Sequence, residues 1–390
     1  MLELRRPRAR PSLAIFAFVL FIYFILLNHA TSSGPDGLNM ALQYSLLVRH
    51  TWGLGNPSLI QPVTDQVEVV SPTGSQWYGT QSYGLAIIAL PFAALGQAMQ
   101  GHAFSNLGPL SYADRLFVAM ISAAFVAALY EELRSLGWDP RASAFTSLAL
   151  AFTTTLWPES EVFMYMPLSA AALTLFIAET YRALTGRGAW KRAWLAAALL
   201  GVAAWADYSI IAAMLALSAL LALVAALTAV RDRAAILATA LIPLDVAAGL
   251  QMATSYAAFG DPLFVPGLAV GRTFVPALAP LHAFYYVFSP YRGIIFYDPI
   301  AALALAYAVA RRRRRPLLSL MVLVAFVAQL AEVSSWYYWD GGLSYGPRLL
   351  LPALAPAMLF LPYAYEDAAR SLPRRDLLMA AAALGLAINA

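Results

Sequence analysis

The sequence predicts an all-α integral membrane protein of about 10–11 transmembrane helices. Three observations carry that reading. Of 390 residues, 61% are hydrophobic and only 12% are charged, about half the charge of a typical soluble domain. Apolar runs long enough to cross a bilayer recur along the whole chain. The basic residues flank those runs instead of forming one face.

Roughly 20 apolar residues cross about 30 Å of hydrocarbon. Segments of that kind lie near 13–29, 111–131, 142–158, 163–181, 194–207, 209–230, 234–253, 293–310, 317–334 and 348–365. A last apolar stretch, 377–390, covers only ~21 Å at 1.5 Å per residue. It is either partly embedded or the chain is shorter than its natural parent. The stretch Tyr83–Met99 is apolar too, but Gly84, Pro91 and Gly96 interrupt it.

Whether 83–99 crosses decides the side of everything after it, and the arginines arbitrate. With a cytoplasmic N-terminus and a non-crossing 83–99 segment, 20 of the 25 basic residues fall inside. They include Arg5, Arg6, Arg8 and Arg10 at the start and the run Arg311–Arg315. Arg49, Arg115, Arg272, Arg292 and Arg348 are left outside. A crossing segment would send most of the inside set, the arginine run among them, to the other face, against the positive-inside rule. The 83–99 segment therefore lies at or dips into the outer interface. The whole chain reads as one polytopic domain with two long outer loops, about 30–110 and about 254–292. Long loops in a compact protein usually carry function, so the active face is the outer one.

Other function classes are disfavoured. The net charge of +4 comes from residues that set topology, not from a basic stripe for nucleic acid. No cysteine is present, which removes disulfides and thiolate metal sites. His29, His50, His102 and His282 have no metal-ligand spacing. No cofactor is required; a divalent metal is compatible with the acidic residues but not demanded by them.

Carboxylates are the informative residues in so apolar a chain. Asp36 follows the first span in SSGPDGLNMALQYSLL and reads either as a general base at the membrane boundary or as a helix cap before an apolar-periodic run. Glu159 and Glu161 lie in the short outer turn LWPESEVFMYMP, where the alternative is a solvated turn. Arg292 in FSPYRGIIFYDP and Arg348 in GPRLLLP stand at the outer starts of two spans. Each can fork onto a phosphate or reach lipid headgroups. The neighbouring aromatics, Tyr345 among them, suit a sugar-stacking surface or an interfacial belt. Asp340 with Gly341 and Gly342 reads as a tight turn. Asp207 and Glu332 sit near outer span ends, where they can be hydrated, and Asp245 is placed deep in a span without an evident partner.

Taken in order, these segments resemble the GT-C superfamily of polytopic glycosyltransferases, especially relatives of protein mannosyltransferases that use polyprenyl-phosphate sugars. SSGPDGLNMALQYSLL is similar to the acidic motif that opens the first outer loop of that group. YGTQSYGLAIIALPFAALG is similar to its interfacial helix. TTTLWPESEVFMYMPLSAAAL is similar to its second-loop region. YAAFGDPLFVPG, VFSPYRGIIFYDP and WDGGLSYGPRLLLPALAP resemble later outer-loop motifs. The resemblance implies a multi-pass cell-membrane glycosyltransferase with a cytoplasmic N-terminus. It would move a sugar from a polyprenyl-phosphate carrier to an acceptor that the sequence leaves unidentified. It further implies Asp36 as the catalytic base, with Glu159, Glu161, Arg292, Arg348 and Tyr345 around the substrate. Pro35 before Asp36, and Gly37 where many relatives carry a second acidic residue, depart from the pattern. A transporter or flippase of a lipid-linked substrate, and a non-catalytic protein that keeps the fold, are the competing readings.

Overall fold

The computed structural model describes residues 11–27, 35–54, 66–71, 74–79, 82–100, 108–227, 232–265, 274–342 and 345–390, with only the backbone given at 35–36, 66–71, 74–77, 99–100 and 108–111. Arg5, Arg6, Arg8, Arg10, Arg231 and Arg272, parts of both outer loops, and the Asp36 side chain lie outside that description.

Helices account for nearly all of the described structure. They run α1 Pro11–Leu26, α2 Pro35–Tyr44, α3 Gly84–Ile88, α4 Leu90–Gln100, α5 Gly108–Ser135, α6 Pro140–Phe152, α7 Leu156–Ser160, α8 Met166–Leu184, α9 Trp190–Ala206, α10 Ile211–Leu227 and α11 Arg233–Phe259. The second half holds α12 Ala279–Phe288, α13 Ile294–Tyr297, α14 Pro299–Ala310, α15 Pro316–Ser334, α16 Leu351–Leu354, α17 Leu361–Ala368 and α18 Leu372–Asn389. Strands β1 Gln66–Ser71 and β2 Gly74–Gly79 form one antiparallel hairpin in the first loop, with Gln66 opposite Gly79.

Local chemistry sets the boundaries. Asp139 caps α6 by accepting from the Arg141 amide at 2.8 Å, and Pro140 at the first helical position needs no amide partner. Gly260 closes α11 in the left-handed conformation, φ 72°. Pro243 sits inside α11, and Gly201 of α9 packs there so closely that a Cβ would stand 2.6 Å from the Pro243 carbonyl oxygen.

Five helical segments of the described residues are long and apolar enough to cross a membrane: Tyr112–Ser135, Tyr208–Leu227, Arg233–Phe259, Pro316–Ser334 and Arg348–Ala368. Pro11–Leu26 and Pro299–Ala310 are shorter apolar helices. The final stretch is longer than its composition suggests. Helix α18 has 18 residues because Leu372, Pro373 and the charged Arg374, Arg375 and Asp376 form its first turns. Phe18, Phe21, Phe24, Leu215, Leu223 and Leu227 are exposed on the outside of the bundle, the surface a bilayer covers.

The two ends of the bundle differ in chemistry. At one end Arg311 and Arg374 converge on Asp367, Arg315 donates to the Leu136 carbonyl at 2.9 Å, and Arg182 bridges Glu132 and Glu179 at 3.3 and 3.0 Å. The other end gathers the aromatic and acidic turns. Gln43 donates there to both the Ala86 carbonyl (3.2 Å) and the Asp114 carboxylate (3.1 Å). Ser82 donates to the Trp205 carbonyl at the end of α9, at 2.5 Å. The chain thus enters α3 and begins α5 at the same end, the geometry that a non-crossing 83–99 segment requires. That segment is broken at Ala89 into helices of five and 11 residues, and the longer reaches only ~16 Å.

Candidate active site

The acidic turn is built first, by its threonines. Thr153 and Thr154 return their hydroxyls to the Ala149 and Leu150 carbonyls at 2.7 and 2.6 Å, which ends α6. The following residues coil into α7. Trp157 then donates its indole N–H to the Glu161 carboxylate at 3.1 Å. Glu159 is buried and Glu161 half-buried, so neither is simply a solvated turn residue. Burial raises the Glu161 pKa above the ordinary carboxylate value, opposed by the Trp157 hydrogen bond and by the positive charge of Arg115.

Two further segments close on this turn. Asp298, buried before α14, accepts from the Thr155 amide at 2.6 Å and from its hydroxyl at 3.2 Å. The 340–348 loop arrives from the other side. A Cβ at Gly346, φ 51°, would lie 2.9 Å from Thr155 Cγ2 and 3.0 Å from the Tyr297 ring, so only glycine admits this approach.

Arg292 and Arg348 hold that loop in place. Arg292 donates Nη1 to the Gly346 carbonyl at 3.1 Å and Nη2 to the Gly342 carbonyl at 2.5 Å, with its guanidinium 4.5 Å from the centre of the Tyr291 ring. Arg348 donates Nη2 to the Gly341 carbonyl at 2.9 Å, while its buried Nε has no acceptor among the described residues. Asp340 makes the tight turn read from the sequence: its Oδ1 accepts from the Gly342 amide at 3.1 Å and its Oδ2 from the Tyr291 hydroxyl at 3.1 Å. Tyr345 stands edge-on to Tyr297 and gives its hydroxyl to the Ile388 carbonyl of α18. The structure thus brings Glu159, Glu161, Arg292, Arg348 and Tyr345 to one end of the bundle, around Thr155 and Gly346.

Asp36 stands in the first turn of α2, which starts at Pro35. Two turns further on, Gln43 is wholly buried and hydrogen-bonded to Asp114. Gln43 and Asp114 were not singled out from sequence, although an acidic residue opening the apolar run of α5 is a signal that could have found them. Asp207 differs from the sequence expectation of a hydrated end. It is buried and accepts from Ser169 Oγ (2.7 Å), the Ser209 amide (2.9 Å) and Ser209 Oγ (2.7 Å), so the hydroxyls take the place of water. Glu332 accepts from the Ala212 amide at 2.9 Å, in the first turn of α10. Asp245 is exposed on the outer side of α11. Among the described residues, no group of three or more His, Asp or Glu side chains is placed to hold a metal ion.

No protein-family model matches the sequence, and no curated protein matches it. Two solved structures are similar in fold. The first, ArnT from Cupriavidus metallidurans bound to undecaprenyl phosphate, superposes with a TM-score of 0.61 at 16% identity over 95% of this chain. The second is the Archaeoglobus fulgidus oligosaccharyltransferase in complex with Zn and sulfate, with a TM-score of 0.53 at 14% identity over 97% of this chain. The fold is GT-C. The chain spans 63% of the first neighbour and 52% of the second. The GT-C architecture expected from the order of the sequence motifs is therefore present, in a membrane protein whose helices make up nearly the whole described chain.

Proposed function

We propose that this chain is an inverting membrane glycosyltransferase, taking its sugar from a polyprenyl-phosphate carrier and giving it to an acceptor hydroxyl on the non-cytoplasmic face. Asp36 is the general base. Its carboxylate removes the acceptor proton as the acceptor oxygen bonds to the anomeric carbon. The bond from that carbon to the phosphate oxygen breaks on the opposite side, and the polyprenyl phosphate leaves with the electron pair. Fixed positive charge beside the leaving phosphate lowers the barrier because it needs no reorganisation during the step.

The observation that carries the reading is Arg348. It is half-buried two residues from Gly346, which meets the turn at Thr155, and among the described residues its Nε lacks the acceptor that a buried cationic donor requires. A phosphate oxygen supplies one. Arg292 holds the loop that presents Arg348, and Glu159 and Glu161 line the acceptor side. The GT-C neighbour bound to undecaprenyl phosphate supports a lipid-phosphate donor. The chemistry assigned here needs no metal. Asp245, the residue that hinted at a midplane site for transport, is exposed on α11.

The test is transfer by purified protein in lipid vesicles from a panel of polyprenyl-phosphate sugars, read as released polyprenyl phosphate. Release of lipid phosphate from at least one donor, lost in Arg348→Ala, supports the proposal. Release from none of the donors, with uptake of an intact lipid-linked substrate instead, overturns it.

A further inference from the structure

The turn that joins α14 to α15 is a run of arginines, Arg311–Arg315. It lies at the end of the bundle opposite the acidic turn, against Trp138 in the turn between α5 and α6 and against Tyr363 of α17. Adjacent cations repel one another, so the partner of each one matters. Arg311 pairs with Asp367, which also takes Arg374 and the Tyr307 hydroxyl. Arg312 donates to the Val309 carbonyl at 3.1 Å and so caps the end of α14. The Arg314 guanidinium stands 6.0 Å from the centre of the Tyr363 ring. Arg315 donates Nη2 to the Leu136 carbonyl at 2.9 Å and lies 4.8 Å from the centre of the Trp138 ring.

Two donors are left over at one place. Arg315 Nη1 and the Trp138 indole N–H are both buried, and neither has an acceptor among the described residues. Trp138 is only 5% exposed, and its ring is fixed edge-on against Tyr363 at 4.5 Å. A guanidinium and an indole can only donate, so neither satisfies the other. A buried donor without an acceptor is destabilising, and a cationic one more so. The missing group is therefore an acceptor, and among these arginines an anion. A phosphate suits the pair, because separate oxygens can take the guanidinium and the indole. The surroundings indicate what carries it. Val309 near the end of α14 and Leu320 in the second turn of α15 are both exposed, so apolar surface flanks the arginines on either side. Free phosphate has no use for that surface, whereas the acyl chains below a lipid headgroup cover it.

We infer that Arg315 and Trp138 form a binding site for the phosphodiester of an anionic phospholipid, in the leaflet at the arginine-rich end. Arg315 Nη1 and Trp138 Nε1 each donate to a phosphate oxygen. The exposed side chains of Arg312, Arg313 and Arg314 move aside to admit the headgroup. The acyl chains then run past Val309 and Leu320. This site lies at the other end of the bundle from the proposed sugar transfer and does not depend on it. Helix α14 connects the two ends, since it starts after Asp298, which holds Thr155 of the acidic turn.

The test is binding of phosphatidylglycerol to the full-length protein, delipidated in detergent and read as lipid adducts in native mass spectra. Wild type should bind the lipid, and Arg315→Gln and Trp138→Phe should each weaken the apparent Kd about tenfold. Trp138→Phe keeps an aromatic ring against Tyr363 and Arg315 and removes only the N–H, so it decides the matter if Arg315→Gln fails to fold. Arg313→Gln removes the same charge from an exposed position and should bind as wild type does. Equal weakening in Arg313→Gln leaves a general basic surface and overturns the site. Wild-type affinity in Trp138→Phe overturns it as well. Displacement of the lipid by an equal concentration of inorganic phosphate overturns the lipid source, and equal binding of phosphatidylcholine overturns the need for a net negative headgroup.

Discussion

Gln43 on α2 donates its amide to the Asp114 carboxylate of α5 across 3.1 Å, and to the Ala86 carbonyl of α3 across 3.2 Å. One side chain therefore ties the helix that begins with Asp36 to the interfacial segment and to the second long helix. All three groups are buried, so breaking the tie leaves a polar atom without water. Asp114→Ala should lower stability by about 1–3 kcal/mol, with Asp114→Asn costing less because its carbonyl still accepts from Gln43. Thermal unfolding in detergent measures both. Equal melting temperatures for wild type and Asp114→Ala would show that the tie contributes nothing.

Gly346 is the position where the arginine-held loop meets the acidic turn. A Cβ there meets Thr155 at 2.9 Å, and the backbone is left-handed. Gly346→Ala should cost about 1–3 kcal/mol from the backbone conformation alone. It should also displace the loop, lowering transfer at least tenfold. Normal stability together with normal turnover would remove the loop–turn contact from the account.

Glu161 gives a pH signature. Burial raises its folded pKa above the unfolded value of about 4.3. The neutral form is the one folding favours, so its stabilising contribution is complete below the unfolded pKa and is lost as pH rises through the folded pKa. In Glu161→Gln that loss is absent. The melting temperature of the variant should therefore gain on wild type as pH rises above about 4, across the range in which both proteins stay folded. A constant offset across that range contradicts the burial of Glu161.

At the opposite end, Arg182 sits between two buried carboxylates, Glu132 and Glu179. Removing the cation strands Glu132 and leaves Glu179 only the exposed Arg192 at 3.7 Å, and breaking a buried pair in this way costs about 3–5 kcal/mol. Arg182→Met should accumulate poorly in membranes, and adding Glu179→Gln should restore part of the yield. Size-exclusion profiles after mild heating compare the three proteins. An unimpaired single variant would mean that the cluster is hydrated.

How much of this was legible in the sequence follows from what each feature depends on. Spans and their ends are local properties: an apolar run, Asp139 before Pro140, Gly260 after α11. Helices cover these stretches in the structure, although the expected spans 142–158 and 293–310 are each broken in two and five described segments are long and apolar enough to cross. The non-crossing 83–99 segment was argued from arginine counts, which integrate over the whole chain. The site was legible only as a list. Glu159, Glu161, Arg292, Arg348 and Tyr345 stand at one end, but partners that build this end are far away in sequence. Asp298 reaches Thr155 over 143 positions and Gln43 reaches Asp114 over 71, and no periodicity encodes such pairs. Asp207 was read as hydrated because one of its donors, Ser169 on α8, reaches it only once α8 and α9 have packed, while the two on Ser209 are local.

The central claim is that Asp36 takes the acceptor proton, and single-turnover transfer by Asp36→Asn tests it most directly. The substitution keeps the size of the side chain and removes the base, so the rate should fall about 10²–10⁴-fold while the melting temperature and donor binding stay those of wild type. A rate within twofold of wild type would contradict the account.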